Sequence, residues 1–416
     1  MTSTASAAPE ISPRSQTQRR ILIVLVTSQV LSGAGLAAGI TVGALLAQDM
    51  LGSTGLAGLP SALFTAGSAL AAVAIGRVSQ ARGRRPGLAA GYLTGAVGGA
   101  GVIAAALADS PVLLFIALFV YGAGSATNLQ ARYAGADLAA PDRRGRAVST
   151  VLVATTLGGV VGPNLTSSTG DLAHTLGIPR LAGPFLLATV AYAAAALVLA
   201  IWLRPDPLLL ARTLDTEEPL DSGTSGTEVT AQARSAGVVL GALIMVVTQV
   251  VMVAIMTMTP VHMHDHRHTT AASGLVIGVH VAAMYLPSPL TGRLADRYGR
   301  IKVAIASGIT LLAAGILAAT APADSVAPLA LALGLLGLGW NLGLVAGTAI
   351  ITDTVPLATR AKTQGMVDVS IAIAGATGGL ASGIVVAAAG YPVLALTGGI
   401  LALAVLPAIA ATASSR

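Results

Sequence analysis

The stretch Leu290–Lys302, which reads LTGRLADRYGRIK, decides the fold. It carries five charged residues, although only 10% of the 416 residues in the chain are charged and 54% are hydrophobic. A divergent copy, GRVSQARGRRPG, spans Gly76–Gly87. Soluble proteins contain about 25% charged residues. Charge clusters of this kind in so apolar a chain therefore indicate loops between membrane-spanning segments.

Apolar runs of the length that crosses a bilayer core, roughly 20 residues, lie on both sides of these clusters. Six occur in the first part of the chain, at 21–47, 54–76, 87–108, 111–133, 147–168 and 183–203, and six in the second, at 236–258, 271–292, 302–320, 327–350, 364–388 and 392–411. The polar stretch between them has a composition that does not bury a core. We therefore predict an all-α polytopic membrane protein with twelve transmembrane helices. Its parts are a tail at 1–20, a six-helix half at 21–203, a linker at 204–235, a second six-helix half at 236–411 and a tail at 412–416.

The distribution of Lys and Arg predicts the orientation, because short cytoplasmic loops carry a positive excess. With the N-terminus in the cytoplasm, 21 of the 23 basic residues fall on the cytoplasmic side, including Arg132 at the end of the fourth span, and only Arg180 and Arg267 lie outside. Both termini and the linker are then cytoplasmic, and the protein is a multi-pass protein of the cell membrane. Basic residues scattered over short loops form no nucleic-acid surface. The chain has no cysteine, which excludes thiolate metal and iron–sulfur sites, and no cofactor is predicted.

The two parts of the chain repeat each other without gaps. Gly76, Gly83 and Arg84 recur 216 residues later as Gly292, Gly299 and Arg300, and Asp137 and Arg144 recur as Asp353 and Arg360. One offset that serves two separate loops indicates two homologous, pseudo-symmetric halves.

On these residues the chain resembles the major facilitator superfamily (MFS) of secondary transporters. Its loop signature is formed by Gly292, Leu294, Ala295, Asp296, Arg297, Gly299 and Arg300, and Gly158, Gly162 and Pro163 are similar to a motif associated with exporters of the family. The resemblance implies a monomer with a central cavity that moves a small-molecule substrate by alternating access in the lipid bilayer. Two departures are Gln80, in place of the family aspartate, and Leu118, in place of an arginine often found in the fourth span.

Asp296 is predicted to act as a cytoplasmic latch. A carboxylate beside a helix N-terminus gains about 0.3 to 1 kcal/mol from the helix dipole, and more when it pairs with arginine. Gln80 can form only a neutral latch, so the second half is expected to carry most of the latch. The alternative is that these charges only anchor short loops.

Ionisable residues within spans are functional candidates because burial of charge in lipid costs several kcal/mol. Asp368, one turn into the eleventh span, and His280, in the middle of the eighth, could each bind and release the coupling proton. Alternatively, Asp368 caps its helix or pairs with a loop arginine, and His280 is a hydrogen-bonded packing residue.

Substrate-cavity candidates are polar or adaptable residues near the middle of the spans. They are Gln29, Gln249, Met252, Trp340 and Asn341. Interhelical hydrogen bonds and ordinary packing are the alternatives for all five. Outside the membrane, alternating His262, His264, His266 and His268 predict an extended loop, either solvated or loosely binding a metal.

The sequence thus predicts a transporter and not an enzyme. We expect proton-coupled efflux of a neutral or cationic amphipathic solute, since no Arg or Lys is expected near the middle of the cavity. Uptake of a small nutrient or metal complex is one alternative, and a membrane sensor that moves no solute is another.

Overall fold

A computed structural model of the protein describes residues 13–41, 46, 49–50, 59–217, 227–322 and 324–414. These residues form helices without any β-strand. In chain order they are span 1 (Pro13–Thr41), span 2 (Leu59–Arg82), span 3 (Arg84–Leu107), span 4 (Pro111–Ala136), span 5 (Arg144–Asn164, followed by Thr166–Thr175), span 6 (Gly183–Trp202), the linker helix (Pro207–Glu217), span 7 (Thr227–Asp265), span 8 (Thr270–Tyr285 and Ser288–Tyr298), span 9 (Arg300–Thr320), span 10 (Val326–Thr354), span 11 (Arg360–Ala389) and span 12 (Tyr391–Ala402 and Val405–Ser414). The architecture is the predicted all-α polytopic fold. Within the described residues, ten helical stretches are long and apolar enough to cross a membrane; spans 1 and 5 are not among these ten, although the helices Pro13–Thr41 and Arg144–Asn164 cover much of their predicted ranges.

The signature stretches are helical for longer than the sequence suggested. Span 2 continues to Arg82 and span 8 to Tyr298, so that single glycines, Gly83 and Gly299, separate them from the following helices. Both glycines have positive φ angles, 96° and 95°, a conformation that favours glycine. We call the side of the bundle where these turns lie, which also carries the start of span 1, the terminal face.

The first part of the predicted linker is helical, although its polar composition suggested otherwise. Residues Pro207–Glu217 form a helix because they present apolar side chains on one face, and Leu208 and Ala211 are buried. Asp206 caps this helix by accepting hydrogen bonds from the Leu208 and Leu209 backbone N–H groups and also accepts one from Arg85 N at 2.7 Å. The linker helix is therefore fixed to the start of span 3.

Two hydrophobic clusters, each built largely from one half, form the core. In the first half, the fully buried rings of Tyr92 and Tyr192 stack at 5.7 Å, and Tyr121 packs on the same group. In the second half, the cluster centres on spans 7, 9 and 10. Each half therefore has largely its own core.

A candidate gate and charge network between the halves

Asp296 joins the two halves at the terminal face. Its carboxylate accepts hydrogen bonds from the backbone N–H groups of Gly145 at 2.8 Å and Arg146 at 2.9 Å, at the start of span 5. Arg146 Nε approaches the same carboxylate at 3.4 Å. The carboxylate is buried, with 4% of the side chain exposed, and it faces the positive end of the span 5 dipole.

Gln80 makes the pseudo-symmetric contact at the start of span 11. Its Oε1 accepts from the backbone N–H groups of Ala361 at 2.8 Å and Lys362 at 3.3 Å, the positions 216 residues after Gly145 and Arg146. Its Nε2 also donates to the carbonyl oxygens of Leu357 at 3.3 Å and Ala358 at 2.6 Å. The amide thus uses donor and acceptor together. The expectation that the second half carries most of the latch overlooked the additional bonds that a neutral amide can donate.

Glycines allow the helices to cross closely beside both latches. A Cβ atom on Gly145 would lie 2.7 Å from the Gly292 carbonyl oxygen, and one on Gly76 would lie 2.9 Å from the Ala361 carbonyl oxygen. Gly365 faces Gly76 in the second crossing. Spans 5 and 8, and spans 2 and 11, therefore touch backbone to backbone at the terminal face.

Two ion triads surround these crossings. In the first, Asp137 binds Arg84 at 2.8 Å and lies 3.9 Å from Arg360 of the other half. In the second, Asp353 binds Arg300 at 3.0 Å and Arg144 of the other half at 2.5 Å. Arg300 also donates to the Pro141 carbonyl oxygen. Each aspartate holds one arginine from its own half and one from the other, which follows from the 216-residue repeat.

Arg297 is the exception among the predicted gating residues. It is exposed on span 8, and its guanidinium lies 5.4 Å from the centre of the Tyr298 ring. It therefore faces away from the crossing that Asp296 makes.

A buried ion pair lies deeper between the halves. Arg132 Nη2 of span 4 donates to Asp368 Oδ1 of span 11 at 2.7 Å, and Arg132 Nε donates to Thr348 at 3.0 Å. The Tyr133 hydroxyl donates to the same carboxylate oxygen at 3.3 Å. Asp368 Oδ2 is buried without a hydrogen-bond partner among the described residues. The sequence raised the pairing of Asp368 with an arginine but expected a loop arginine, and it counted Arg132 among the cytoplasmic charges; Arg132 lies inside the span 4 helix and is fully buried.

His280 is buried between spans 8 and 10 and lies within the second half. Its Nδ1 is 2.9 Å from the Leu333 carbonyl oxygen, and its Nε2 has no partner in the described part of the chain. This geometry favours the alternative that His280 is a hydrogen-bonded packing residue. Asp368, by contrast, joins the two halves.

Among the cavity candidates, Gln249 and Trp340 lie together. The indole N–H of Trp340 donates to Gln249 Oε1 at 2.8 Å, and Tyr285 packs edge-on against the indole at 5.8 Å. Gln249 and Tyr285 are partly exposed. Met252 is 5% exposed and belongs to the second-half core. An aromatic surface beside an amide can hold a planar solute that carries hydrogen-bonding groups.

Gln29 and Asn341 are fully buried, which corrects their assignment to the cavity surface. Gln29 donates to the Asn128 carbonyl oxygen and to Thr155, and accepts from Tyr92. Asn341 donates to the Met284 carbonyl oxygen at 2.7 Å. Both are used in interhelical hydrogen bonds, because an amide within an apolar bundle must find partners.

The histidine stretch is not the extended loop that alternation suggested. Span 7 remains helical through Asp265, which places His262 and His266 one turn apart with their rings 4.4 Å apart, and His262 stacks on Tyr391. No group of three or more metal-ligating side chains occurs in the described residues, so these histidines form no metal cluster there.

Of the exporter-like motif, Gly158 is buried, and the surroundings of Gly162 and Pro163 lie outside the described residues.

Comparison with known proteins identifies the family that this architecture belongs to. The family model of the Major Facilitator Superfamily matches residues 23–287 and 240–414. The MFS-type transporter YdeG of Bacillus subtilis is 57% identical over 94% of this chain and 91% of its own length. The riboflavin transporter RfnT of Brucella anthropi is 32% identical, over 84% of this chain and 85% of its own. The crystal structure of the human organic anion transporter MFSD10 superposes with a TM-score of 0.73 at 16% identity and covers 94% of this chain and 99% of that one.

Proposed function

Since the chain belongs to the major facilitator superfamily of membrane transporters, we propose that it is a proton-coupled secondary transporter in which Asp368 binds the coupling proton. One observation carries the proposal: the buried ion pair of Arg132 and Asp368 joins the two halves. The protein is a multi-pass membrane transporter and not an enzyme. The coupling ion, the direction and the solute are proposals.

In this mechanism, protonation of Asp368 removes the charge that holds Arg132. A buried ion pair is favourable only while both partners are charged and hydrogen-bonded, and loss of one partner leaves an uncompensated charge. The protonated state therefore favours separation of spans 4 and 11 and entry of water at the terminal face. Loss of the proton restores the pair and favours closure, together with the latches of Asp296 and Gln80.

The distribution of basic residues supports a cytoplasmic terminal face in the cell membrane, as the sequence predicted. A proton that reaches Asp368 from the opposite face would then open the cytoplasmic side and leave there. This direction follows the usual proton gradient of a cell membrane. The transporter is proposed to act as a monomer.

The solute is proposed to be a small, neutral or cationic amphipathic compound that contacts Trp340, Gln249 and Tyr285. The Gly158 motif favours export of such a compound. The riboflavin transporter among the relatives favours a second candidate, uptake of a planar, uncharged heteroaromatic solute, which the indole and the amide of this pocket suit.

Flux measurements in proteoliposomes test the proposal. Purified protein is reconstituted, a pH gradient is imposed in either direction, and movement of riboflavin and of the cationic dye ethidium is followed. Gradient-driven movement of riboflavin supports uptake, and movement of ethidium against the proton flow supports export. If neither probe moves, nor any compound of a wider neutral and cationic set, the proposed solute class is wrong.

A further inference from the structure

A charged cavity of about 300 Å³ lies on the terminal face, beneath the linker helix. Three arginines and three aspartates line it: Arg14, Arg144, Arg360, Asp137, Asp215 and Asp353. Arg144 belongs to the first half and Arg360 to the second, so a ligand in this cavity touches both. The linker helix closes one side, because Arg212 donates to the carbonyl oxygens of Gln80 at 3.0 Å and Leu357 at 3.4 Å.

The arginines of this cavity have hydrogen-bond donors that the protein does not use. Arg144 Nε is buried without a partner among the described residues. Arg360 is buried, yet its polar contacts within the described residues are one hydrogen bond to the Val355 carbonyl oxygen at 3.2 Å and an approach to Asp137 at 3.9 Å. Arg14, at the start of span 1, is exposed, and the described residues offer it no hydrogen bond or ion pair. Unused buried donors are costly, and an anion would satisfy them.

The charge balance also favours an anion. Asp137 and Asp353 are already bound by Arg84 and Arg300. With these two partners included, five arginines face three aspartates, which leaves an excess of two positive charges. Arg84 and Arg144 repel the charge of Arg360, whereas Asp137 and Asp215 attract it. A dianion would balance this excess.

We propose that the cavity binds a phosphate-type dianion that bridges Arg144, Arg360 and Arg14. A guanidinium group can donate two parallel, charge-assisted hydrogen bonds to two oxygens of one phosphate. The ligand stabilises the closed terminal face, because its arginines come from both halves. This effect on closure rests on the proposed gate, but binding itself does not. The phosphate is that of a free anion or of a lipid headgroup.

The experiment uses the full-length protein in nanodiscs of phosphatidylcholine. Inorganic phosphate is titrated calorimetrically against a chloride control of equal ionic strength, with wild type, Arg14→Gln and Arg19→Gln. Arg19 is an exposed arginine on the same helix that does not line the cavity. Wild type and Arg19→Gln should bind phosphate, and Arg14→Gln should bind about tenfold more weakly, the loss expected for one charge-assisted hydrogen bond. Equal thermal stability of all three in chloride excludes misfolding, since Arg14 is exposed.

A second measurement reports whether the terminal face is closed. Ser149 is buried beside Gly292 in the span 5–8 crossing, and Ser149→Cys supplies the only thiol of the chain. Phosphate should slow labelling of this cysteine severalfold, but not in the Arg14→Gln background. Nanodiscs that contain phosphatidic acid distinguish the sources: loss of free phosphate binding there assigns the site to a lipid headgroup, and unchanged binding assigns it to the free anion.

Absence of phosphate binding in phosphatidylcholine, or equal binding by Arg14→Gln, overturns the site. Binding without any change in labelling overturns the bridge between the halves. Failure of transport alone does not affect either result, because neither measurement requires a solute.

Discussion

Replacement of Asp296 by asparagine should open the terminal face. The carboxylate accepts two backbone hydrogen bonds from the start of span 5, at 2.8 and 2.9 Å, with only 4% of its side chain exposed. Asparagine keeps one acceptor oxygen and no charge. One charge-assisted bond is then lost and the other becomes neutral, a cost of about 2 kcal/mol. The half-exposed Arg146 adds little, because exposed ion pairs contribute roughly 0 to 1 kcal/mol.

At 1.4 kcal/mol per tenfold change, this loss raises the ratio of open to closed terminal face about 30-fold. The assay is the labelling rate of Ser149→Cys with a membrane-impermeant maleimide, in an otherwise cysteine-free chain. Asp142→Asn is the matched control, since Asp142 lies on the same face but is 70% exposed, and its ion pair within the described residues is with the neighbouring Arg143.

Asp296→Gln offers a second comparison, because Gln80 makes the equivalent contacts with an amide. Its effect on labelling should be smaller than that of asparagine. The latch interpretation fails if the labelling rate of Ser149→Cys in Asp296→Asn is within twofold of the rate in the parent protein. It also fails if Asp142→Asn raises the labelling rate to the same extent.

Three further changes test other parts of the account. Asp368→Asn should abolish pH-driven accumulation of solute in vesicles but leave counterflow, and unchanged coupling would remove Asp368 from the mechanism. The variant should also lose about 3 to 5 kcal/mol of stability, because the charge of Arg132 is left buried and unpaired. Addition of Arg132→Gln should restore most of this loss. Gly145→Ala should raise the labelling rate of Ser149→Cys, because the added Cβ would lie 2.7 Å from a backbone oxygen. Gly383→Ala should not raise it, since no atom lies within 4 Å of the added Cβ. Equal labelling in both variants would argue against close helix contact as part of the gate. His280→Gln should leave the pH dependence of transport unchanged, and a shifted pH profile would show that His280 takes part in coupling.

The sequence predicted which charged residues meet at the terminal face, because a constant offset is visible without structure. The repeat identified Asp137, Arg144, Asp353 and Arg360, and the structure brings all four into the two ion triads. Their mutual contact follows from pseudo-symmetry, which places equivalent loops on the same face.

The buried network was harder to predict. Arg132, near the end of the predicted fourth span, was counted with the cytoplasmic charges because positive charge usually marks the end of a span, but span 4 continues to Ala136 and buries Arg132 completely. Arg132 lies 216 residues before Thr348, to which it donates a hydrogen bond, and the repeat could have supplied this signal. Gln29 was misplaced for another reason: sequence periodicity gives the depth of an amide in the membrane but not whether it faces the cavity or a neighbouring helix.

Proton movement during solute exchange tests the central claim most directly. Proteoliposomes with a pH-sensitive dye inside receive a transported probe, riboflavin or ethidium, without an imposed pH gradient. Wild-type protein should move protons with the solute, and Asp368→Asn should exchange the solute without moving protons. Equal proton movement by both proteins, or solute transport by wild type without any proton movement, would contradict the account.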